Sequence, residues 1–174
     1  MIDAFRHLLL DAIGRDLAEF GDLAGLLRAL IRLSLAALLG GIIGLERSIH
    51  ARPAGLRTFM LVAVGSAAFV LVSEQLGIRE GDLSRVIQGL LTGVGFLGAG
   101  VIFRSGEATR TRGITTAAGI WLTASLGMAV GLGRPATAVL IALLTFVILS
   151  RAGRSLELFV TRRARRRPPE SSGP

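Results

Sequence analysis

The chain has 174 residues, and its 20 basic residues are all arginine, against 12 acidic residues, which gives a formal net charge of +8. It contains no cysteine, which excludes disulfide frameworks, thiol nucleophiles and cysteine-based metal centres. Its mean hydropathy of +0.63 and charged fraction of 18% are unlike those of a soluble domain. The composition therefore predicts a single membrane domain and excludes a large multidomain enzyme.

Residues 1–22 predict an amphipathic helix in the membrane interface rather than a cleaved signal peptide. Asp3, His7, Asp11 and Arg15 recur every four residues and form one polar stripe. A metal site on this stripe is an alternative, but a solvated stripe is the simpler interpretation. We therefore predict no bound metal and no cofactor.

Long uncharged stretches between residues 23 and 150 predict about five transmembrane helices, because a charge at the bilayer centre costs roughly 2.5 to 3.5 kcal/mol. The first helix ends at Glu46, and Arg32 within it is expected to extend to the headgroups. The other stretches are 16 residues between Arg57 and Glu74, 18 between Arg85 and Arg104, 21 between Arg112 and Arg134, and 16 between Arg134 and Arg151. The two of 16 residues are short for a core of about 30 Å, which leaves a re-entrant or interfacial segment as their alternative. The predicted fold class is all-α, a polytopic membrane bundle with an N-terminal amphipathic helix.

The distribution of arginine predicts the orientation of this bundle. The 46–57 loop, the 104–113 loop and the basic tail 151–174 together carry 13 of the 20 arginines. The positive-inside rule therefore predicts that these segments are cytoplasmic and that the N-terminus is periplasmic. The tail either binds anionic lipid headgroups or only fixes the last helix. Nucleic acid is not expected as a partner, because no aromatic residues are interleaved with the arginines.

Glycines within the predicted helices allow helix backbones to approach closely. The run 93–100 matches the dinucleotide fingerprint G-x-G-x-x-G, but it lies inside an uncharged helix and lacks the strand and the acidic residue of a Rossmann site. We therefore expect the third apolar helix, which has the most glycines, near the centre of a tight bundle or oligomer. The alternative is that glycine is simply common in membrane helices. The predicted packing glycines are Gly40, Gly44, Gly89, Gly93, Gly95, Gly98, Gly100, Gly127 and Gly131.

Polar residues at the ends of the predicted helices form a candidate functional rim. A carboxylate at the edge of the low-dielectric interior of the bilayer is stabilised by a nearby cation, so we expect Arg57 and Arg112 to pair with Glu46. Pro53 is expected in the first turn of the second helix. The alternative for the whole rim is anchoring to headgroups. The rim consists of Glu46, Arg47, Arg57, Thr58, Arg112, Thr115 and Thr116 on the predicted cytoplasmic side and of Arg85 and Gln88 on the other side.

The placement of polar and ionisable residues favours some classes of function over others. A proton-coupled transporter normally places ionisable groups at mid-span, and no carboxylate, arginine or histidine is predicted there. A path lined by carbonyls where glycines break a helix leaves a cation channel or transporter as the alternative. An enzyme is disfavoured, because no set of nucleophile, base and orienting group is evident. The leading hypothesis is a non-enzymatic regulator that acts through helix contacts with a second copy or with a partner membrane complex.

Five short motifs follow one another in a fixed order within residues 25–150. They are GIIGLER at 41–47, PAGLRT at 53–58, RVIQG at 85–89, GVGFLGAGVI at 93–102 and RGITTAA at 112–118, followed by Trp121. Together they resemble the MgtC/SapB family of bacterial membrane proteins. Phe59 follows the Arg-Thr pair at a position where that family usually has a polar residue.

The resemblance implies a small multi-pass protein of the bacterial inner membrane. It implies a role in adaptation to low magnesium and, in pathogens, in survival inside host cells. It also implies no enzymatic activity, and action on a partner such as the F-type ATP synthase rather than transport of magnesium. Members of the family often add a soluble cytoplasmic domain, and we expect this chain to carry the arginine tail instead.

Overall fold

A computed structural model describes residues 2–19, 23–104 and 113–150 of the chain. These residues form helices without any strand among them, and the predicted all-α fold class is confirmed. The helices are α1 Ile2–Glu19, α2 Leu23–Ile49, α3 Leu56–Gln75, α4 Glu80–Arg104, α5 Ile114–Gly131 and α6 Pro135–Leu149.

Four of these helices, α2 to α5, are long and apolar enough to cross a membrane by length and composition. The 20 residues of α3 rise about 30 Å, because the helix includes both Arg57 and Glu74, the charges that bounded its predicted span. The 15 residues of α6 rise only about 22 Å against a hydrocarbon core of about 30 Å. The polytopic helical architecture is thus confirmed, with α6 as a short fifth apolar helix.

A tight turn joins α5 to α6. Gly133 has φ +68°, a left-handed conformation that glycine adopts without steric cost. The amide of Arg134 donates to the carbonyl of Ala129 at 2.8 Å, which closes the end of α5 in the manner of a Schellman motif. Pro135 then starts α6 at a position where a helix needs no amide donor. The two helices are therefore antiparallel neighbours.

The centre of the bundle is α5, which packs against α2, α3, α4 and α6. Within this bundle, our expectation that the third apolar helix, α4, lies at the centre is wrong, and its place in an oligomer stays a prediction. Among the described helices α4 packs only against α3 and α5, and less than a fifth of its apolar window is buried. The reason is the direction in which the glycines face. A Cβ on Gly131 of α5 would lie 2.8 Å from the Ala67 carbonyl oxygen of α3, whereas Gly89 and Gly93 of α4 have no neighbour within 4 Å of such an atom.

Helix α2 packs on α3 through two glycines. A Cβ on Gly40 would lie 2.7 Å from the carbonyl oxygen of Phe59, and one on Gly44 would lie 2.8 Å from the Cα of Leu56. Phe59 is completely buried, and its ring approaches Gly119 of α5. An apolar ring at this position therefore fills the space among α2, α3 and α5.

Helix α1 packs against no other helix in the part of the chain described here. Its first residues expose large apolar side chains, including Ile2, Phe5 and Leu8. The location of α1 in the membrane interface stays a prediction. The loop that contains Arg112 and the tail 151–174 lie outside the described residues, so the predictions for them remain open.

Candidate functional site

Glu46 and Arg47 form a buried ion pair at the C-terminal end of α2. Their exposed fractions are 9% and 2%. Both Nε and Nη2 of Arg47 contact Oε2 of Glu46. A buried charge is tolerated when it is paired and hydrogen-bonded, and this arrangement meets both conditions. The pair therefore explains how a carboxylate lies inside the bundle.

The same arginine also binds the end of another helix. Nη2 of Arg47 donates a hydrogen bond to the carbonyl oxygen of Leu149, the last residue of α6. The final carbonyls of a helix have no partner within that helix, and a cation there is also favoured by the helix dipole. Arg47 thus joins the C-terminal end of α2 to the C-terminal end of α6.

His50 completes this cluster. Its Nδ1 lies 2.9 Å from the backbone oxygen of Glu46 and 3.2 Å from Oε1 of the same residue. Both neighbours are acceptors, which assigns the proton to Nδ1. The other ring nitrogen, Nε2, is buried and has no hydrogen-bond partner among the described residues.

A second polar cluster, which the sequence analysis missed, lies at the other end of α2. Nη1 of Arg32 donates to Oε2 of Glu74 at 2.7 Å and to the carbonyl oxygen of Gly131 at 3.0 Å. Gly131 is the last residue of α5. Arg32 therefore ties α2 to the ends of α3 and α5. Its extension to the headgroups stays a prediction. The signal available in the sequence was a cation inside an apolar run, which is costly unless it is paired.

The predicted rim residues fall into two groups. Arg57, Thr58, Arg85, Gln88 and Thr115 are exposed. Glu46 and Arg47, described above, and Thr116, with an exposed fraction of 3%, are buried. The structure thus brings Glu46 and Arg47 together and leaves the exposed members apart from them. The expectation that Arg57 pairs with Glu46 is wrong. Glu46 lies inside the bundle, and its carboxylate is bound by Arg47, the next residue in the chain.

The turn from α2 to α3 also differs from the prediction. Helix α3 begins at Leu56, so Pro53 precedes the helix and does not form its first turn. The amide of Leu56 donates to the hydroxyl of Ser48 at 2.8 Å, which satisfies one amide that the helix start leaves open. A Cβ on Gly55 would collide with that hydroxyl. Ser48 and Gly55 therefore set the approach of α3 to the Glu46 cluster.

The arrangement holds helix ends together. Within the described residues no group of three or more histidine, cysteine or acidic side chains is placed to hold a metal ion. Glu46 is engaged by Arg47 and His50, and Arg47 is engaged by a helix end. What the cluster does is connect the ends of α2 and α6.

Curated relatives of this chain are known in several bacteria. The protein SrpB of Synechococcus elongatus is 50% identical in an alignment of 127 residues that covers 65% of this chain and 66% of SrpB. The protein MgtC of Brucella abortus is 49% identical in an alignment of 100 residues that covers 56% of this chain and 40% of that protein. A protein of Escherichia coli named putative magnesium transporter YhiD is 39% identical in an alignment of 130 residues that covers 69% of this chain and 58% of YhiD.

The chain thus matches less than two thirds of the length of each of these relatives. No solved structure matches it. The model of the MgtC family matches residues 33–157, which include Glu46, Arg47, His50 and Leu149 and the part of α2 from Leu33 onward. This is more than half of the sequence, and the chain therefore belongs to the MgtC family.

Proposed function

We propose that this chain is a non-enzymatic protein of the bacterial inner membrane that supports growth at low magnesium or under stress by regulating a partner membrane complex, such as the F-type ATP synthase. The family membership and the names of two relatives, MgtC and putative magnesium transporter YhiD, support the connection with magnesium.

The observation that supports a function through contacts with other proteins is the tight packing at the centre of the bundle. Gly40 and Gly44 of α2, and Gly127 and Gly131 of α5, lie so close to α3 that a Cβ on any of them would meet atoms of α3 at 2.9 Å or less. Backbones in such contact leave no room for a hydrated ion between these helices. The charged groups of the two clusters are engaged at the helix ends. The surface that remains for function is therefore the outer surface of the helices.

Growth and crosslinking test this proposal together. A strain that lacks the gene is expected to grow as well as its parent in high magnesium and more slowly in low magnesium, with growth restored by the wild-type chain. Crosslinking in low magnesium is expected to recover the chain with subunits of the F-type ATP synthase. Equal growth of both strains at every magnesium concentration would contradict the role in magnesium adaptation, and recovery of the chain without those subunits would contradict the choice of partner.

The second candidate is a cation channel or transporter for magnesium or protons. The observation in its favour is Glu46, a carboxylate buried within the bundle, together with the name of YhiD. Purified protein in sealed vesicles that contain a magnesium indicator separates the two candidates. The regulator is expected to give no flux above empty vesicles. Flux that the Glu46→Gln variant abolishes, in protein that melts like the wild type, would favour the transporter.

A further inference from the structure

An apolar groove of about 630 Å³ runs along the outer surface of the bundle between α3 and α4. Its α3 wall includes Leu61 and Phe69, which are 72% and 63% exposed. Its α4 wall includes Val86 and Leu97. Except for Ser66, the residues that line the groove are apolar. The volume lies in the range of roughly 300–1,000 Å³ that is typical of sites for small ligands, so the groove is large enough to hold an apolar molecule.

Three glycines keep this groove open, Gly65 on α3 and Gly89 and Gly93 on α4. A Cβ on any of them would meet no atom within 4 Å in the part of the chain described here, so contact between these helices does not require them. Glycine makes a helix interior less stable than alanine does. Their effect in this fold is to widen the groove, which an added side chain would narrow.

The length of the groove matches the depth of one leaflet of a bilayer. Leu61 lies one turn after Arg57 on the same face of α3, so Arg57 stands at one end of the groove. Phe69, at the other end, follows Arg57 by 12 residues, a rise of about 18 Å. One leaflet contributes about 15 Å of hydrocarbon, which is half of the core. An acyl chain that starts near Arg57 can therefore extend along the whole groove.

The two ends of the groove differ in charge. Arg57 is exposed and forms no ion pair with any residue that the structure describes. The first turn of α3 contains no acidic side chain, although the helix dipole favours an anion at this end of a helix. At the other end of the groove, where α4 begins, Arg85 lies 3.9 Å from Asp82. An anionic group is therefore favoured beside Arg57.

We propose that the groove binds one anionic phospholipid, with an acyl chain between α3 and α4 and the phosphate against Arg57. Such a molecule joins an apolar chain to an anion, as α3 joins the apolar wall to Arg57. The planar guanidinium donates two parallel hydrogen bonds to a phosphate, and the exposed Thr58 hydroxyl beside it is a further donor. An apolar helix of a second copy or of another protein would cover the groove but leave Arg57 without an anion. The lipid site goes beyond the regulatory function proposed above and does not depend on it.

Quenching of a single tryptophan by brominated lipid tests the site. In a Trp121→Phe background, which removes the natural tryptophan, Leu61→Trp places the fluorophore in the groove and Leu144→Trp places it on the exposed surface of α6. The two positions are matched in depth, because Leu61 lies five residues after the start of α3 and Leu144 five residues before the end of α6. Both helix ends adjoin the end of α2.

Vesicles of phosphatidylcholine then receive increasing fractions of brominated phosphatidylglycerol or of brominated phosphatidylcholine. Leu61→Trp is expected to be half-quenched at a roughly fivefold lower fraction of the anionic lipid, because one arginine near the membrane surface attracts such a lipid by about this factor. Leu144→Trp is expected to respond equally to the two lipids.

Two pairs of variants in the Leu61→Trp protein identify the groups responsible. Arg57→Gln is expected to remove the preference for phosphatidylglycerol, whereas Arg52→Gln, which removes a charge from an exposed position in the preceding turn, should retain it. Gly93→Leu narrows the groove and is expected to weaken quenching by brominated phosphatidylglycerol about fivefold. Gly95→Leu is its control, because Gly95 has open space for a Cβ and does not line the groove.

Melting of each variant in micelles checks that it folds. Equal quenching of Leu61→Trp by the two brominated lipids would mean that only bulk lipid contacts the groove, and a preference that persists in folded Arg57→Gln would place the anion elsewhere. Protection of Leu61→Trp from both lipids, with Leu144→Trp quenched, would mean that a protein covers the groove. Each of these results would overturn the proposal. A preference for phosphatidylglycerol in a chain whose deletion leaves growth at low magnesium unchanged would keep the lipid site and contradict only the regulatory function.

Discussion

Arginine is costly in a membrane bundle, and two residues of α2 show how this chain accommodates it. Arg32 binds Glu74 and the last carbonyl of α5, and Arg47 binds Glu46 and the last carbonyl of α6. Each guanidinium therefore meets a carboxylate and a helix end at the same time. Its several donors in a fixed fork allow this, whereas the ammonium of lysine is a single point charge.

Removal of Arg47 is expected to destabilise the fold more than removal of an exposed arginine. Arg47→Ala leaves the Glu46 carboxylate buried without its cation, which costs about 3–5 kcal/mol in comparable pairs. Arg57→Ala, an exposed position at the start of α3, is the control and should change the free energy of unfolding by less than about 0.5 kcal/mol. Reversible unfolding in micelles, followed by Trp121 fluorescence, measures both.

The double variant Glu46→Leu/Arg47→Leu separates the contribution of the two charges to stability from the contribution of the volume that the two side chains fill. If the cost of Arg47→Ala comes from an unpaired carboxylate, replacing both partners with leucine should recover part of the lost stability. Equal effects of Arg47→Ala and Arg57→Ala would mean that Glu46 is hydrated in solution and that the ion pair contributes little.

Among the helices, α2 connects the two polar clusters, those of Arg32 and of Arg47. Arg32 and Arg47 are 15 residues apart, a rise of about 22 Å. One arginine holds the end of α5 and the other holds the end of α6, and α5 and α6 are themselves joined by a tight turn. The clusters therefore fix the axial position of three helices relative to one another.

The sequence predicts the helices better than it predicts their neighbours. Uncharged length identifies α2 to α6, because the cost of a buried charge depends on local sequence alone. The count of glycines misplaces α4, because Gly40 and Gly127 face another backbone while Gly93 does not, and only the fold decides that direction. The pairing of Arg32 with Glu74 spans 42 residues and has no local signature. Glu46 and Arg47 were predicted as rim residues, but the contact with Leu149 depends on where α6 ends.

Close helix packing leads to a prediction for Gly127. A Cβ there would collide with the carbonyl oxygen of Ala63 and lie 2.9 Å from the Cβ of Ser66, so Gly127→Ala forces α3 and α5 apart. We expect a loss of about 1–3 kcal/mol in the free energy of unfolding. Gly95→Ala is the matched control, because its Cβ enters open space and alanine favours a helix by up to about 1 kcal/mol. A Gly127→Ala variant that unfolds like the control would show that the two helices are further apart than described.

At the scale of the whole molecule, the membrane topology depends on whether the short α6 crosses the bilayer. Its 15 residues are too few for an untilted span of a 30 Å core, but local thinning of the bilayer accommodates a mismatch of this size at modest cost. The contact of Arg47 with Leu149 sets the end of α6 at the depth of the end of α2. If α2 crosses from the periplasm to the cytoplasm, α6 is therefore expected to do the same.

Labelling of single cysteines with an impermeant maleimide tests this topology, and the natural chain, which has no cysteine, is the blank. Ile78→Cys, in the turn between α3 and α4, is expected to react in intact spheroplasts. Arg52→Cys, in the turn between α2 and α3, and Pro174→Cys are expected to react only after permeabilisation, because the arginine-rich side faces the cytoplasm. Labelling of Pro174→Cys from outside together with Ile78→Cys would mean that α6 returns to the periplasmic surface. Labelling of Arg52→Cys from outside would mean that the whole bundle has the opposite orientation in the membrane, because α2 fixes the ends of both α5 and α6.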